Sequence, residues 1–251
     1  MNAYSSLLSP IPRVVHGFGD KASLMPERLQ SWQMTLPDKK QVHGTAIGWV
    51  RRPGEAPGEL DGVITDVPGI LLTVLTADCL PVLFCRRDGR RIGAVHAGWR
   101  GLLAGILGQF AATLDAVGDK PSQWVAAIGP AAGPCCYEVS QALVDEFRQQ
   151  LPLSAAVIAP RPRHLDLAAI ARLQLLTLGF VAVDTIGHCT LCCPAPGPAE
   201  CLRYTSFRRN SQQRERDPAH PSISGRNQHS GLIMLPDDAA ECNAGVDVMG
   251  K

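Results

Sequence analysis

The sequence predicts an α+β fold with mixed β-sheets. Three observations carry that expectation. Between Gly62 and His96 four β-rich apolar runs follow one another, at residues 62–65, 70–76, 81–86 and 91–96. Asp88-Gly89, a favoured hairpin dipeptide, joins the last two, which spoils a purely parallel sheet. Beyond Trp99 the apolar residues recur at helical spacing, and helices then interleave with further strands.

Arg13-Val14-Val15-His16-Gly17-Phe18 reads as the first strand. Pro26 at the head of Glu27-Arg28-Leu29-Gln30-Ser31-Trp32 suits the first turn of a short helix. Residues 41–50 read as strand, and a Pro/Gly-rich loop at 51–59 leads into the four runs above. Leu102, Leu103, Ile106, Leu107, Phe110, Leu114 and Val117 form one stripe, so a single helix is expected over 99–117 with Gly118 as its stop. Strands are expected at 124–128, 155–159 and 180–186, and helices at 140–150 and 165–178. The most polar segment, Arg203 to Arg226, reads as a mobile or ligand-ordered loop before a last strand at 232–235.

The chain of 251 residues is 45% hydrophobic and 19% charged, with a net charge of +1, enough for one large globular domain or two small ones. Near-neutrality supplies no field to hold a polyanion, so neither nucleic acid nor a membrane surface is expected as partner. The apolar stretch at 62–84 is interrupted by Asp66, Pro68, Asp78 and Pro81, which excludes a membrane span there. The first residues lack a cationic start followed by a long apolar run, and nine cysteines is an odd number, so a cytoplasmic protein with reduced thiols is expected.

Gly17-Phe18-Gly19-Asp20-Lys21-Ala22 formally fits a dinucleotide fingerprint, but Pro26 breaks the helix that should follow and no acidic ribose partner lies about 20 residues on. Cys189-Thr190-Leu191-Cys192 is a Cys-x-x-Cys pair without a second pair, and the adjacent Cys135-Cys136 read as packed, reduced thiols. The arginines from Arg203 to Arg216 read as a solvated loop that can still clamp a small anion. The informative set is His43, Cys79 and His96, each at the end of an expected strand. Two imidazoles and a thiolate suit zinc with an open fourth position. The same residues also allow Cys79 as a nucleophile activated by a histidine.

Five blocks, in order, carry a resemblance. They are Gln41-Val42-His43-Gly44, Ala77-Asp78-Cys79-Leu80-Pro81-Val82, Ala94-Val95-His96-Ala97-Gly98-Trp99-Arg100-Gly101, Ile128-Gly129-Pro130 with Gly133-Pro134-Cys135-Cys136-Tyr137-Glu138-Val139, and Cys189-Thr190 followed by Cys192. Together they resemble the signature blocks of the YfiH/YlmD family, described as multicopper polyphenol oxidase (laccase domain) and as peptidoglycan editing factor, and including purine nucleoside phosphorylases. The resemblance implies a single catalytic domain over residues 1–251, a four-layer α/β/β/α sandwich similar to the catalytic domain of cytotoxic necrotizing factor. It implies a zinc held by His43, Cys79 and His96. Implied activities are phosphorolysis of adenosine, inosine, guanosine and methylthioadenosine, and adenosine deamination. The family's Ser-Tyr-Arg-Arg and Thr-Gly-Arg are represented by Ser206-Phe207-Arg208-Arg209 and Ser224-Gly225-Arg226 with a longer loop between, and the stretch after His16-Gly17-Phe18 is shorter than usual.

On that reading Arg100, just inside the expected 99–117 helix, is a catalytic phosphate contact, with Arg208, Arg209 or Arg226 as a second. Asp78 orients a histidine or acts as general base, and Cys79 is both ligand and catalytic residue. Purine nucleosides and phosphate are the expected partners of a monomer or homodimer. Two alternatives stand beside it. One is a copper oxidase using the same ligands; the other is a cysteine hydrolase or amidase acting on peptidoglycan fragments, with Cys79 as nucleophile and His96 as base.

Overall fold

In the computed structural model, residues 2–197 and 202–236 are described. The architecture is α+β with mixed sheets, as expected. A six-stranded sheet has the order β10-β9-β7-β8-β5-β3. Its strands are β3 (Ile47–Trp49), β5 (Gly62–Thr65), β7 (Leu80–Arg86), β8 (Ile92–Ala97), β9 (Trp124–Ile128) and β10 (Ala182–Thr185). The outer pairs are parallel and the inner ones antiparallel. A three-stranded antiparallel sheet joins β1 (Val14–Phe18), β11 (Gln228–Met234) and β6 (Leu72–Thr76), with β11 in the middle. Two short strands, β2 (Lys39–Lys40) and β4 (Gly58–Glu59), pair in parallel beside the site described below.

Period-2 alternation divides these strands between two cores. Val63, Leu83, Cys85, Ala94, Val125 and Ala127 face the three-stranded sheet and pack on Phe18, Leu72, Val74 and Leu232. Their neighbours Ile64, Val82, Phe84, Val95, Trp124 and Ala126 face the helices. Phe84 and Phe110 stack there with ring centroids 3.9 Å apart. The outer face of the small sheet is covered by a 3-10 segment, Glu27–Thr35, through Leu29 against Leu71 and Ile233.

Four expectations change. The 99–117 helix is two helices, α1 (Trp99–Leu103) and α2 (Ile106–Asp115), because Gly105 takes φ 87° and breaks the hydrogen-bond ladder. Residues 155–159, expected as strand, form α4 (Ala155–Ile158), a single turn that follows α3 (Gln141–Gln150); alanine pairs favour the helix where no strand offers an edge. After α5 (Leu167–Thr177) and β10, the polar segment expected as a loop holds a ten-residue helix, α6 (Phe207–Arg216). Of residues 41–50, only 47–49 are strand.

His16 on β1 is buried and its Nε2 accepts the Ser5 N–H at 2.8 Å. Burial first, and the Arg28 charge second, push its pKa from 6.5 to about 4. The unfolded chain therefore takes up a proton below its own pKa that the folded chain refuses. Stability is full above pH 6.5 and falls by roughly 3 kcal/mol as pH drops towards about 4. Urea unfolding at about pH 7 and about pH 4.5 should show a larger loss for the parent chain than for His16→Gln, which keeps an acceptor for Ser5. Equal losses would remove His16 as the source.

Candidate metal centre and cleft

Strand register builds the centre. Pro81 of β7 lies opposite His96 of β8, and Gly62 of β5 lies opposite Val95. Cys79, one residue before β7, His96, near the end of β8, and Asp61, one residue before β5, therefore meet at one end of the sheet. The His96 N–H bonds the Asp61 carbonyl at 2.7 Å, which fixes this alignment. His43 comes from the loop between β2 and β3. One donor atom from each of His43, Cys79 and His96 lies within 4.8 Å of the others, and the two imidazole rings meet edge to face at 4.8 Å.

Asp61, fully buried, organises both histidines. Its Oδ1 pairs with His96 Nδ1 at 2.7 Å, leaving His96 Nε2 as the ring's free donor towards the centre. The same carboxylate accepts the backbone N–H groups of Val42, His43 and Gly44 at 3.1, 3.0 and 2.7 Å. These three N–H groups form a nest for an anion, which is why residues 41–46 leave the strand path and His43 holds φ 60°. Burial pushes the Asp61 carboxyl up, but the His96 and backbone hydrogen bonds outweigh it and hold the group below its usual range.

Gly98 closes the approach from behind. A Cβ there would lie 3.0 Å from His43 Cδ2 and 3.1 Å from Cys79 Sγ, so the loop can pass only as glycine without displacing the donors. Burial lowers the His43 pKa, with the His96 charge second, so the imidazole is neutral and able to ligate. Burial, then the Asp78 and Asp61 charges, push the Cys79 thiol to about 12. A free thiolate nucleophile needs the opposite shift; a cation among these donors would supply it. The donor set, two imidazoles and one thiol with a fourth side open to the cleft, fits zinc in a catalytic arrangement.

Asp78 adopts φ 96°, a strained value for a non-glycine residue. Its carboxylate accepts Thr190 Oγ1 at 2.6 Å, Ser206 Oγ at 2.9 Å and the Arg208 N–H at 2.7 Å. The histidine-orienting role expected of Asp78 thus falls to Asp61, while Asp78 moors the start of α6. Ser206 caps that helix by accepting the Arg209 N–H. This anchoring is why the segment is helical although none of its residues is buried.

A cleft of about 770 Å3 opens over the centre. Arg100, Tyr137, Phe207 and Arg208 line it with Lys39 and His229. The Arg100 guanidinium lies 4.3 Å from the Trp99 ring centre; that of Arg208 lies 5.2 Å from Tyr137 and donates to the Glu138 carbonyl at 2.5 Å. Because α1 has only five residues, the long-helix N-terminus expected to assist Arg100 is not there, and its own charge is what it offers an anion. Arg209 turns away, donating to the carbonyls of Thr190 and Leu191 at 2.9 Å and of Tyr204 at 2.5 Å. Arg226 donates to the carbonyls of Pro221 and Ser222 on its own loop. Neither lines the cleft, so only Arg100 and Arg208 of the four expected arginines face it. Asp61 and Phe207, 60% exposed at the rim, are additions that sequence reading did not supply.

Fold and site together define a class: a mixed α+β protein whose sheet end carries an open two-histidine, one-cysteine centre at the floor of a cleft. The chain belongs to the family described as multi-copper polyphenol oxidoreductase laccase, which matches residues 22–216 and contains the YfiH and YlmD proteins. It is 36% identical over 176 residues to a Pseudomonas aeruginosa protein named purine nucleoside phosphorylase PA4543, covering 68% of each chain. To Escherichia coli purine nucleoside phosphorylase YfiH it is 37% identical over 161 residues, 62% of this chain and 65% of that one. The crystal structure of YlmD from Geobacillus stearothermophilus superposes with a TM-score of 0.72 at 28% identity, covering 90% of this chain and 94% of that one. No helix among the described residues is long and apolar enough to cross a membrane.

Proposed function

We propose that this chain is a zinc-dependent purine nucleoside phosphorylase, acting on adenosine, inosine, guanosine and methylthioadenosine, with an accompanying adenosine deaminase activity. The observation that carries the reading is the cleft itself, which Arg100 and Arg208 line together with the centre of His43, Cys79 and His96. The names of the relatives support it. His43, Cys79 and His96 would hold the zinc, which when bound polarises whatever occupies the fourth position. Arg100 and Arg208 bind the phosphate, and Asp61 keeps His96 in the tautomer that presents Nε2. Phe207 and Tyr137 offer flat apolar faces to the purine. The Tyr137 hydroxyl, pushed up to about 12 by burial and by the neighbouring Cys79, keeps its proton and can donate it in a hydrogen bond to the departing base. The same reading places the enzyme in the cytoplasm, whose reducing conditions keep thiols available.

A panel of nucleosides incubated with and without phosphate, resolved by chromatography for free base and for inosine, tests this. Hypoxanthine release from inosine should require phosphate; equal release without it would make the enzyme a hydrolase. Arg100→Ala should raise the phosphate KM or lower kcat more than about tenfold, as expected for loss of a charge-assisted contact of roughly 1.5–3 kcal/mol.

One observation favours a second reading. Cys79, His96 and Asp61 follow one another as nucleophile, base and orienting acid do. The raised Cys79 pKa opposes it. Activity of metal-free protein, abolished by alkylation of Cys79, would establish the hydrolase in place of the phosphorylase; copper with oxidase activity would establish the laccase.

A further inference from the structure

We propose that Cys135, Cys136, Cys189 and Cys192 form a second metal site, a closed four-thiolate zinc centre that fixes the two loops behind the cleft. It stands independently of the activity proposed above. The four Sγ atoms lie within 4.8 Å of one another, although 57 residues separate Cys135 from Cys192. Cys135 Sγ and Cys192 Sγ are 3.6 Å apart. The edge of a tetrahedron with Zn–S arms of about 2.3 Å is about 3.8 Å, whereas a disulfide needs about 2.05 Å. The spacing matches thiolates around one ion and is too long for a sulfur–sulfur bond.

Adjacency of Cys135 and Cys136 reads against a shared metal only if the chain is extended there, since neighbouring side chains of a strand point apart. The chain is not extended. The N–H groups of Cys136 and Tyr137 both bond the Gly133 carbonyl, at 3.0 and 2.9 Å, and the resulting turn swings both thiols to one side. From the other loop, the Cys189-x-x-Cys192 turn is held by Cys193 N–H to the Cys189 carbonyl at 2.9 Å. The Gly133 N–H donates to Cys189 Sγ at 3.3 Å, a partner suited to a thiolate. Gly133 also leaves the room, since a Cβ there would meet Cys189 Cβ at 3.2 Å and Cys135 Sγ at 3.5 Å. Four soft sulfur donors with no open position select zinc in a structural role.

The site clamps what the cleft depends on. Ala131 and Cys189 bridge the two loops, and Thr190 N–H bonds the Ala131 carbonyl at 2.9 Å. Thr190 in turn holds Asp78, next to Cys79, and its carbonyl accepts Arg209 of α6.

The full-length chain, grown with zinc and dialysed, should contain two zinc ions. Cys135→Ser and Cys192→Ser should each remove one, and His43→Ala should remove the other. The zinc kept by His43→Ala should show an X-ray absorption shell of sulfur alone at about 2.3 Å, a measurement that does not need the cysteine variants to fold. Zinc retained by His43→Ala and lost by Cys135→Ser supports this centre even if the parent chain proves to hold only that one ion, in which case the His43 centre fails. Metal content unchanged by Cys135→Ser and Cys192→Ser, a shell containing nitrogen in His43→Ala, or these thiols isolated as disulfides would each overturn it.

Discussion

Cys79→Ala is expected to release the ion at the sheet end and to abolish nucleoside turnover. On the proposed reading, Cys79 would be, once a cation is bound, the only anionic donor of the centre among the described residues; its side chain enters from the residue before β7, opposite the close of β8. The remaining imidazoles, His43 and His96, each offer a single nitrogen, so metal affinity should fall by more than the roughly 10–100-fold that follows loss of an outer partner. Metal analysis should show one equivalent fewer than in the parent chain, with the four-cysteine zinc retained. Turnover should be absent across the nucleoside panel. Full activity with full metal content in this variant would end the metal-centred reading of the cleft.

Asp61→Asn is expected to act almost as strongly without touching the ion. The substitution keeps the shape but replaces one carboxylate oxygen by an NH2 group among groups that only donate: the N–H groups of Val42, His43 and Gly44. At least one donor then faces another donor in a buried place. The cost should be about 3 kcal/mol of stability, from lost hydrogen bonds to a charged acceptor. Metal affinity should also weaken by about 10–100-fold as His96 loses its fixed tautomer and His43 its loop. The two effects separate experimentally: denaturant unfolding of the metal-free protein reads the first, competition with a chelator the second. A variant that loses stability but binds metal as before would show that Asp61 holds the loop without tuning the ligands.

Of the three candidate donors, Cys79 and His96 were legible because each stands in a short block of small and polar residues at a strand end, a pattern that survives without knowledge of the tertiary fold; His43 was legible from its block alone, since it sits in the loop between β2 and β3. Asp61 was not. Leu60-Asp61-Gly62 carries no local signal, and its role exists only through the β5–β8 register and a loop folded back onto it. The helix α6 lacked the apolar stripe on which periodicity depends; its signals were polar, Ser206 as cap and no glycine or proline until Pro218. Arg209 and Arg226 carried the right chemistry, but neighbouring backbone carbonyls claimed their guanidinium groups. The Gly105 break was visible as a residue and not as a consequence, since a lone glycine inside a helical stripe is usually tolerated.

The small sheet has its sequence order inverted in space, and this bears on how the protein is made. Its middle strand, β11, is the last strand of the described residues, inserted between β1 and β6, which do not pair with each other. A ribosome delivers β3 to β10 before β11, so the six-stranded sheet and the sheet-end cluster of His43, Cys79 and His96 can assemble while β1 and β6 still wait with open edges. Those edges stand two strand spacings, about 9.6 Å, apart until β11 arrives. The nascent chain therefore has His43, Cys79 and His96 together before it has a finished second sheet, and any truncation that removes β11 leaves two adhesive strands exposed instead of a smaller folded protein.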